Sequence, residues 1–390
     1  MNSPLWPRHP SAFARQTLAL YAALIVYASW YPFAGWRSQG IGLFDYLTNP
    51  LSHYLSVFDI VINVLGYMPF GALLVLALYP RWCGARAVGL ALGLGTLLSA
   101  VMEAGQTWLP TRVASNLDLV ANVLGTLLGA VLTAPVVSGL LERSRLRRLR
   151  LAWFERDATA LLGFAALWPL ATIFPTPWLF GMGTWPSELW SRFDPAMQDA
   201  LLNGLPDAVW HAWERHAAWP ARLGAMLPDA TWEALVTGLS LFAAGALASL
   251  PMRPRAPQVR LLLALIALTL LLKLGVSGLQ SRAGLVFEWL TPGARWGLAW
   301  GTLALWLALR LSRRWRAVCA ALALIVALLL VNLLPQNPYF DVVLADWRQG
   351  RYVHLNGLAR WLAWVWPYAA LAWLAFAAER NWLARRRSKG

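Results

Sequence analysis

The chain has 390 residues, of which 59% are apolar and only 13% carry a charge, and its net charge is +15. A water-soluble domain has about 25% charged residues, so this composition excludes a soluble globular protein. Several apolar stretches reach the roughly 20 residues that a helix needs to cross a bilayer. The basic residues cluster between those stretches, as in the cytoplasmic loops of membrane proteins, which argues against nucleic-acid binding. The sequence therefore predicts an all-α, polytopic transmembrane helix bundle.

In chain order, the apolar stretches predict about ten spans, with the N and C termini both cytoplasmic. This arrangement puts every basic cluster on the same side of the membrane, as the positive-inside rule requires. The fifth span holds Pro169, Pro175 and Pro177, and prolines can split or shorten a helix. The spans are placed near residues 17–35, 58–79, 87–106, 116–137, 158–182, 232–251, 261–279, 294–311, 317–334 and 361–378.

The densest basic cluster divides the chain into two regions. Residues 1–140 are expected to form a four-helix transmembrane domain that contains an internal repeat. Residues 141–157 form a basic cytoplasmic linker. Residues 158–390 are expected to form a six-span transmembrane region with amphipathic loops on the outer face.

The second region has three further features. Residues 194–204 have a helix start and stop, and a second short helix follows Pro206, so we expect both to lie on the outer membrane surface. Lys273 lies toward the outer end of the seventh span and is expected to extend to the membrane surface. The third feature resembles a metal cluster, but its second histidine lies off the face that the other two residues share. We therefore predict no metal there and no cofactor; these three residues are His211, Glu214 and His216.

A repeated motif in the first region contains the best candidates for function. Each copy has Ser, then Asp three residues later, Asn four residues after that and Gly three further on. On a helix the last three positions lie on one face, so each copy presents an acid, an amide and a glycine along one stripe. The predicted topology brings both acids to the outer face. The candidate substrate-binding residues are Asp59, Asn63, Glu103, Gln106, Arg112, Asp118 and Asn122, and the candidate structural residues are Ser56, Gly66, Pro69, Gly71, Ser115, Gly125 and Gly129.

The same residues also fit a purely structural role. Serine three residues before an acid is a helix-capping pattern, asparagines can hydrogen-bond between helices, and glycines let helices approach closely. Glu103 and Arg112 could form a structural ion pair. Ionisable residues within a membrane are nevertheless costly, which makes them candidates for function. Both interpretations stay open at this point.

The first region resembles the VanZ-like family, which is named for a teicoplanin resistance protein. The family pattern is Asn-x2-Gly-x2-Pro-x-Gly, then Glu-x2-Gln, then a Pro-x-Arg loop and finally Asp-x3-Asn-x2-Gly. The resemblance covers the N-terminal third, and the six spans that follow carry no comparable motif. The matching residues are Asn63, Gly66, Pro69 and Gly71, Glu103 and Gln106, Pro110 and Arg112, and Asp118, Asn122, Gly125 and Gly129.

The resemblance implies a multi-pass protein of the bacterial inner membrane that acts on cell-envelope lipid or glycan components at the outer face. Teicoplanin resistance or envelope polysaccharide export would be the consequence. The implied partners are membrane lipids and a lipid-linked glycan or a lipophilic glycopeptide. Arg112 suits a phosphate or a carboxylate, and the carboxylates suit an amine, a hydroxyl or a divalent cation.

Two other functions are open. The first alternative is a membrane enzyme that acts on a phosphorylated lipid headgroup or a lipid-linked glycan, because paired carboxylates can support acid–base catalysis. The second is a transporter, in which the repeated spans would relate two gating elements. The sequence leaves open whether the protein is an enzyme and assigns no catalytic residue.

Overall fold

The computed structural model describes residues 11–31, 33–48, 57–139, 141, 145–155, 158–184, 194–204, 206, 219–280, 286–334, 340, 344 and 353–387. Within these ranges the regular structure is helical, so the predicted all-α fold is confirmed. The chain divides into two compact units, Met1–Leu151 (unit 1) and Ala152–Gly390 (unit 2).

Unit 1 consists of four long helices and a basic helix that runs into unit 2. A short 3-10 turn, Asp45–Leu47, lies in the connection between the first two helices. The helices are α1 (Ala12–Trp30), α2 (Val57–Leu78), α3 (Gly84–Gln106), α4 (Asn116–Thr133) and α5 (Arg145–Trp153).

Unit 2 contains the remaining described helices. Among them α9 is the most deeply buried, and its many alanines, glycines and serines allow neighbouring helices to pack closely around it. The helices are α6 (Thr159–Ala171), α7 (Pro195–Asn203), α8 (Trp219–Ala225), α9 (Asp229–Ser249), α10 (Gln258–Gln280), α11 (Pro292–Ala308), α12 (Arg313–Leu333) and α13 (Val353–Arg387).

Eight of the described helices are long and apolar enough to cross a membrane: α1 to α4, α9, α10, α12 and α13. Two predicted spans correspond to shorter helices, α6 with 13 residues and α11 with 17. A multi-pass helical membrane protein is therefore confirmed by length and composition. Which helix ends face the cytoplasm stays a prediction.

The predicted fifth span, residues 158–182, is wrong in its second half. Helix α6 ends at Ala171, and the chain from Phe174 to Thr184 is irregular and buried. Pro175 and Pro177 explain the break, because proline lacks the N–H that a helix needs and disfavours helical backbone in the residue before it. In the predicted surface segment, a helix does cover Pro195–Asn203. The predicted helix after Pro206 and the residues His211, Glu214 and His216 fall outside the described ranges.

Helices α2 and α4 run in the same direction and pack closely through glycines. A Cβ atom added at Gly125 would collide with the carbonyl oxygen of Val64, and one added at Gly129 with that of Met68. Gly71 faces the carbonyl of Thr126 in the same way, from the opposite helix. These three contacts leave no room for a side chain, so the two backbones touch.

Helix α3 runs antiparallel to α4, because Gly95 lies against Thr126 near one end of the pair and Ser99 bonds to Asn122 nearer the other. The C-terminal ends of α1 and α3 lie together, since the Trp30 indole N–H donates to the Met102 carbonyl over 3.1 Å. Four helices of alternating direction therefore form the bundle of unit 1.

We expect Gly129→Ala to destabilise unit 1, whereas Gly66→Ala should not. No atom lies within 4 Å of a Cβ built at Gly66, so alanine there gains helix propensity without a clash. Forcing a methyl group against the Met68 carbonyl should cost about 1–3 kcal/mol. Thermal unfolding of the purified protein in detergent measures the difference. Equal melting temperatures for the two variants would contradict the close packing of α2 on α4.

Candidate functional site

The predicted site residues meet at one end of the unit 1 bundle. Here the C-terminal ends of α1 and α3 lie beside the N-terminal ends of α2 and α4 and the connection of residues 107–115. We call this region the polar end, and it comprises Asn63, Glu103, Gln106, Arg112, Ser115 and Asp118. Residues that are far apart in the chain thus share one end of the bundle.

A line of hydrogen bonds crosses the polar end from α3 through α4 to α2. The carboxylate of Glu103, which is only 2% exposed, accepts from the Ser115 amide N–H through Oε2 at 2.9 Å. The Ser115 hydroxyl accepts from the amide N–H of Asp118 at 3.4 Å. Asp118 Oδ1 in turn accepts from Asn63 Nδ2 at 2.8 Å. Three helices are therefore joined through two carboxylates.

The start of α4 explains why Asp118 is available to α2. Ser115 is the N-cap, with extended backbone at φ −135° and ψ 131°, and Asp118 occupies the third helical position. In a capping box the acid at that position accepts from the N-cap amide N–H. Here Glu103 from another helix accepts that bond instead. The Asp118 carboxylate can therefore reach Asn63 while remaining close to the positive end of the helix dipole.

One turn deeper, Asn122 joins α4 to α3. Its Nδ2 donates to the Ser99 hydroxyl at 3.0 Å, and both side chains are buried. The Asn122 Oδ1 atom is buried and has no hydrogen-bond partner among the described residues. Sequence reasoning missed Ser99, although it lies four residues before Glu103 and therefore on the same helix face.

Tyr46 is a second residue that sequence reasoning missed. It lies in the 3-10 turn between α1 and α2, is 1% exposed, and its hydroxyl donates to the Ala100 carbonyl at 3.4 Å. Burial, and then the charge of Glu103, raise the pKa of Tyr46. No sequence pattern indicates this contact, because the tyrosine belongs to an irregular connection.

Arg112 and Gln106 both donate hydrogen bonds to backbone carbonyls at the end of α1. The guanidinium Nη2 of Arg112 donates to the carbonyls of Ala28 at 2.8 Å and Tyr31 at 3.4 Å, where a cation complements the negative end of the α1 dipole. Within the described part of unit 1, the ion pair considered between Glu103 and Arg112 does not form. Burial lowers the pKa of Arg112, although an arginine in a protein stays protonated. Gln106 Nε2 donates to the Ser29 carbonyl at 3.4 Å, so Gln106 and Glu103 contact different helices.

The first copy of the repeat is described only in part. Asp59 lies in the first turn of α2, but its side chain and the whole of Ser56 fall outside the described structure. Pro69 lies exposed within a continuous α2. Gly66 faces open space, and its carbonyl accepts from the Tyr21 hydroxyl at 2.8 Å. The pairing of the two acids, and a substrate-binding role for any of these residues, stay predictions.

An apolar groove of about 440 Å³ lies beside the polar end. The connection of residues 33–48 is held against the residues that directly follow α3. The Arg37 amide N–H donates to the Trp108 carbonyl at 3.0 Å, and Gln39 Nε2 donates to the Thr107 carbonyl at 2.9 Å. Ala104 and Gly105, which also line the groove, are the two residues between Glu103 and Gln106. The main lining side chains are Trp30, Trp36, Phe44, Leu97, Val101 and Trp108.

We expect Asn63 and Asp118 to be energetically coupled. Single and double alanine variants should give a coupling energy of about 0.5–2 kcal/mol, the range found for interhelical hydrogen bonds in membranes and for bonds to charged groups. The control cycle pairs Asp118→Ala with Thr133→Ala, which lies about 22 Å further along the same helix and should be additive. Reversible unfolding in mixed micelles measures both cycles. Additivity in the first cycle would show that the bond contributes nothing to stability.

Comparison with known proteins shows which family this part of the chain resembles. Residues 14–138 match the model of the VanZ/LLP1 family. This range contains all but the first two residues of α1, all of α2 to α4 and every residue of the polar end. Neither the search of curated proteins nor the search of solved structures found a match. The N-terminal third of this chain is therefore similar to the VanZ/LLP1 family.

Proposed function

We propose that the polar end binds the head group of an amphiphilic cell-envelope molecule at the outer face of the bacterial inner membrane. The observation that supports this proposal is that the apolar groove and the polar end are lined by neighbouring residues of α3. Ala104 and Gly105 line the apolar groove, while Glu103 beside them faces the hydrogen-bonded polar end. A molecule with a hydrocarbon chain and a polar head matches both parts.

The groove supports the hydrocarbon half of this proposal. Its volume falls within the range of small-molecule sites, about 300–1,000 Å³. Two of its lining residues, Leu97 and Val101, are 62% and 45% exposed, so the groove opens to the surroundings of the bundle. In a bilayer those surroundings are lipid chains. Its tryptophans are of the type that lies at membrane–water interfaces, the depth at which a head group joins its chain.

The chemistry of the polar end favours a head group with hydroxyl or amine groups. Glu103 and Asp118 supply carboxylate acceptors, and Asn122 has a buried amide oxygen without a described partner. Arg112, the residue best suited to a phosphate, donates to the carbonyls of α1. The polar end therefore offers a ligand more hydrogen-bond acceptors than cationic groups. A sugar or an amino group meets that requirement better than a bare phosphate.

Lipid-linked glycans and lipophilic glycopeptides both have a hydrocarbon chain and a hydroxyl-rich head. Binding of either would account for altered teicoplanin susceptibility or for a part in envelope polysaccharide export, the consequences that the family resemblance implies. The enzyme alternative is favoured by one observation, the two carboxylates joined through Ser115. Conversion of a lipid-linked glycan by the purified protein would establish that alternative, and movement of the glycan across a proteoliposome membrane would establish a transporter.

We expect Glu103→Gln to weaken ligand binding without unfolding the protein. Glutamine keeps an oxygen that can accept from the Ser115 amide N–H, but it removes the negative charge. Loss of a charged hydrogen bond to the ligand should weaken binding about tenfold or more. Native mass spectrometry of co-purified lipids measures retention, and glycopeptide susceptibility of the expressing cells measures the consequence.

The control for this experiment is Glu288→Gln, which removes the charge of an exposed acid in unit 2. It should leave lipid retention and susceptibility unchanged. If Glu103→Gln, present at the normal level, retains the same lipids and gives the same susceptibility as the unmodified protein, the polar end is not the binding site.

A further inference from the structure

Two helix connections of unit 2 lie together at one end of its helices. Helices α9 and α11 run in the same direction, because a Cβ atom built at Gly293 would meet the Ala230 carbonyl and one built at Gly301 would meet Gly238. Their C-terminal ends therefore lie side by side, as do the short connections that lead on to α10 and α12. We call this region the basic end, and its arginines are Arg253, Arg255, Arg260, Arg310, Arg313, Arg314 and Arg316.

One carboxylate at the basic end is shared by two of these arginines. Glu155 Oε1 accepts from Arg313 Nη2 at 2.8 Å, and Glu155 Oε2 lies 4.0 Å from Arg253 Nε. The hydrogen bond from Arg313, and then the positive charges of Arg313 and Arg253, lower the pKa of Glu155, so this residue is ionised. The side chains of Glu155 and Arg313 are 44% exposed and that of Arg253 is 37% exposed, so a ligand can reach all three.

The backbone fixes the positions of these side chains. The Glu155 amide N–H donates to the Pro251 carbonyl at 2.9 Å, and the Arg253 amide N–H donates to the Trp153 carbonyl at 2.7 Å. Arg313 Nη2 also donates to the carbonyl of Met252, at 2.9 Å. The chain before α6, the connection after α9 and the start of α12 are thus joined, and the arginines are in place before any ligand binds.

Among the described residues two cations are buried, Lys273 and Arg316, and they lie at different places in unit 2. Lys273 is 4% exposed, and its Nζ donates to the Thr172 carbonyl at 2.9 Å. The expectation that Lys273 extends to the membrane surface is therefore wrong, because the interrupted α6 offers a carbonyl inside the bundle. Thr172 follows the far end of α6, about 20 Å from the end beside Glu155, so Lys273 is not part of the basic end.

Arg316 is the buried cation of the basic end. It is 5% exposed, and its Nη1 donates to the Ser249 hydroxyl at 2.9 Å. Its Nε is buried and has no hydrogen-bond partner among the described residues, and no carboxylate in the described ranges forms an ion pair with it. Because Arg316 lies three residues after Arg313, both side chains are on the same face of α12. A third guanidinium therefore lies behind the two that share Glu155.

The basic end thus has more positive than negative charge. Its described contacts join three guanidiniums to one carboxylate, and a buried guanidinium without a carboxylate is costly. An anion at the exposed side of Arg253 and Arg313 would lower that cost. The planar guanidinium matches the geometry of a phosphate, to which it can donate two hydrogen bonds at once.

The depth of the basic end indicates where such an anion comes from. Helix α9 ends at Ser249 and α12 begins at Arg313, and both helices are long and apolar enough to cross a membrane. The ends of spanning helices lie at the level of the lipid head groups. Beside the arginines Trp315 is 60% exposed and Val318 is 40% exposed, so the outer side of α12 offers apolar contact for a lipid chain.

We propose that the basic end of unit 2 binds the head group of an anionic phospholipid, whose phosphate oxygens accept from the exposed guanidiniums of Arg253 and Arg313. Clusters of arginines at the ends of spans attract anionic lipids electrostatically. The carboxylate of Glu155 opposes this attraction and limits its strength. This site is independent of the head-group site proposed for unit 1, which lies in the other unit and offers mainly acceptors.

The test uses the full-length protein in a neutral detergent and follows its thermal unfolding as lipid is added. Phosphatidylglycerol is compared with phosphatidylcholine of the same acyl chains, and the measured quantity is the lipid concentration that gives half of the maximal rise in melting temperature. We expect phosphatidylglycerol to act at a lower concentration than phosphatidylcholine. The difference should shrink at high ionic strength, because salt screens exposed charges.

Two variants should shift this concentration in opposite directions. Arg253→Gln removes a positive charge and should raise the half-maximal concentration of phosphatidylglycerol about fivefold. Glu155→Gln keeps an oxygen that can accept from Arg313 but removes the negative charge, so it should lower that concentration by about the same factor. The control is Arg295→Gln, an exposed arginine near the other end of α11, which should leave the concentration unchanged.

A cluster that only holds the helix connections together predicts no change in the lipid concentration for either variant. The proposal is overturned if phosphatidylglycerol and phosphatidylcholine act alike, or if Arg253→Gln behaves as Arg295→Gln does. It is also overturned if inorganic phosphate, compared with chloride at equal ionic strength, gives the same rise as the lipid. If Glu155→Gln does not fold, the comparison of Arg253→Gln with Arg295→Gln decides.

Discussion

A polar group buried within a membrane has no water to bond to, so its partner must come from the protein or from a ligand. Unit 1 largely meets this requirement internally. Glu103 accepts from the Ser115 amide, Ser115 accepts from the start of α4, and Asp118 accepts from Asn63. These bonds join α2, α3 and α4 at one end of the bundle, and glycines further along the helices bring α2 against α4. The polar end is thus both the structural connection of the bundle and the place where its carboxylates lie.

Unit 2 meets the same requirement only in part. Gly183 is bonded on both sides by α12 and α13, whereas the Trp168 indole N–H is buried without a partner in the described structure.

The internal repeat shows how similar motifs acquire different roles. Gly125 touches the backbone of α2, whereas Gly66 faces open space and contributes only its carbonyl. Asn63 bonds to the acid of the other copy, whereas Asn122 bonds to Ser99 of α3. Helix α4 packs against both α2 and α3, so its polar residues form hydrogen bonds with two different helices. The repeat is therefore equivalent in sequence but not in its contacts.

The sequence by itself determined the membrane class, most of the spans and the residues of the polar end, because apolar length, helical spacing and capping patterns act locally along the chain. Only the tertiary structure decided which partner each polar group takes. Arg112 bonds to α1 and not to Glu103, Glu103 accepts the bond that a capping box would give to Asp118, and Lys273 turns inward to an interrupted helix. The physical reason is that a hydrogen bond depends on the distance and direction between atoms from different helices, and the spacing of residues in one chain carries no information about either.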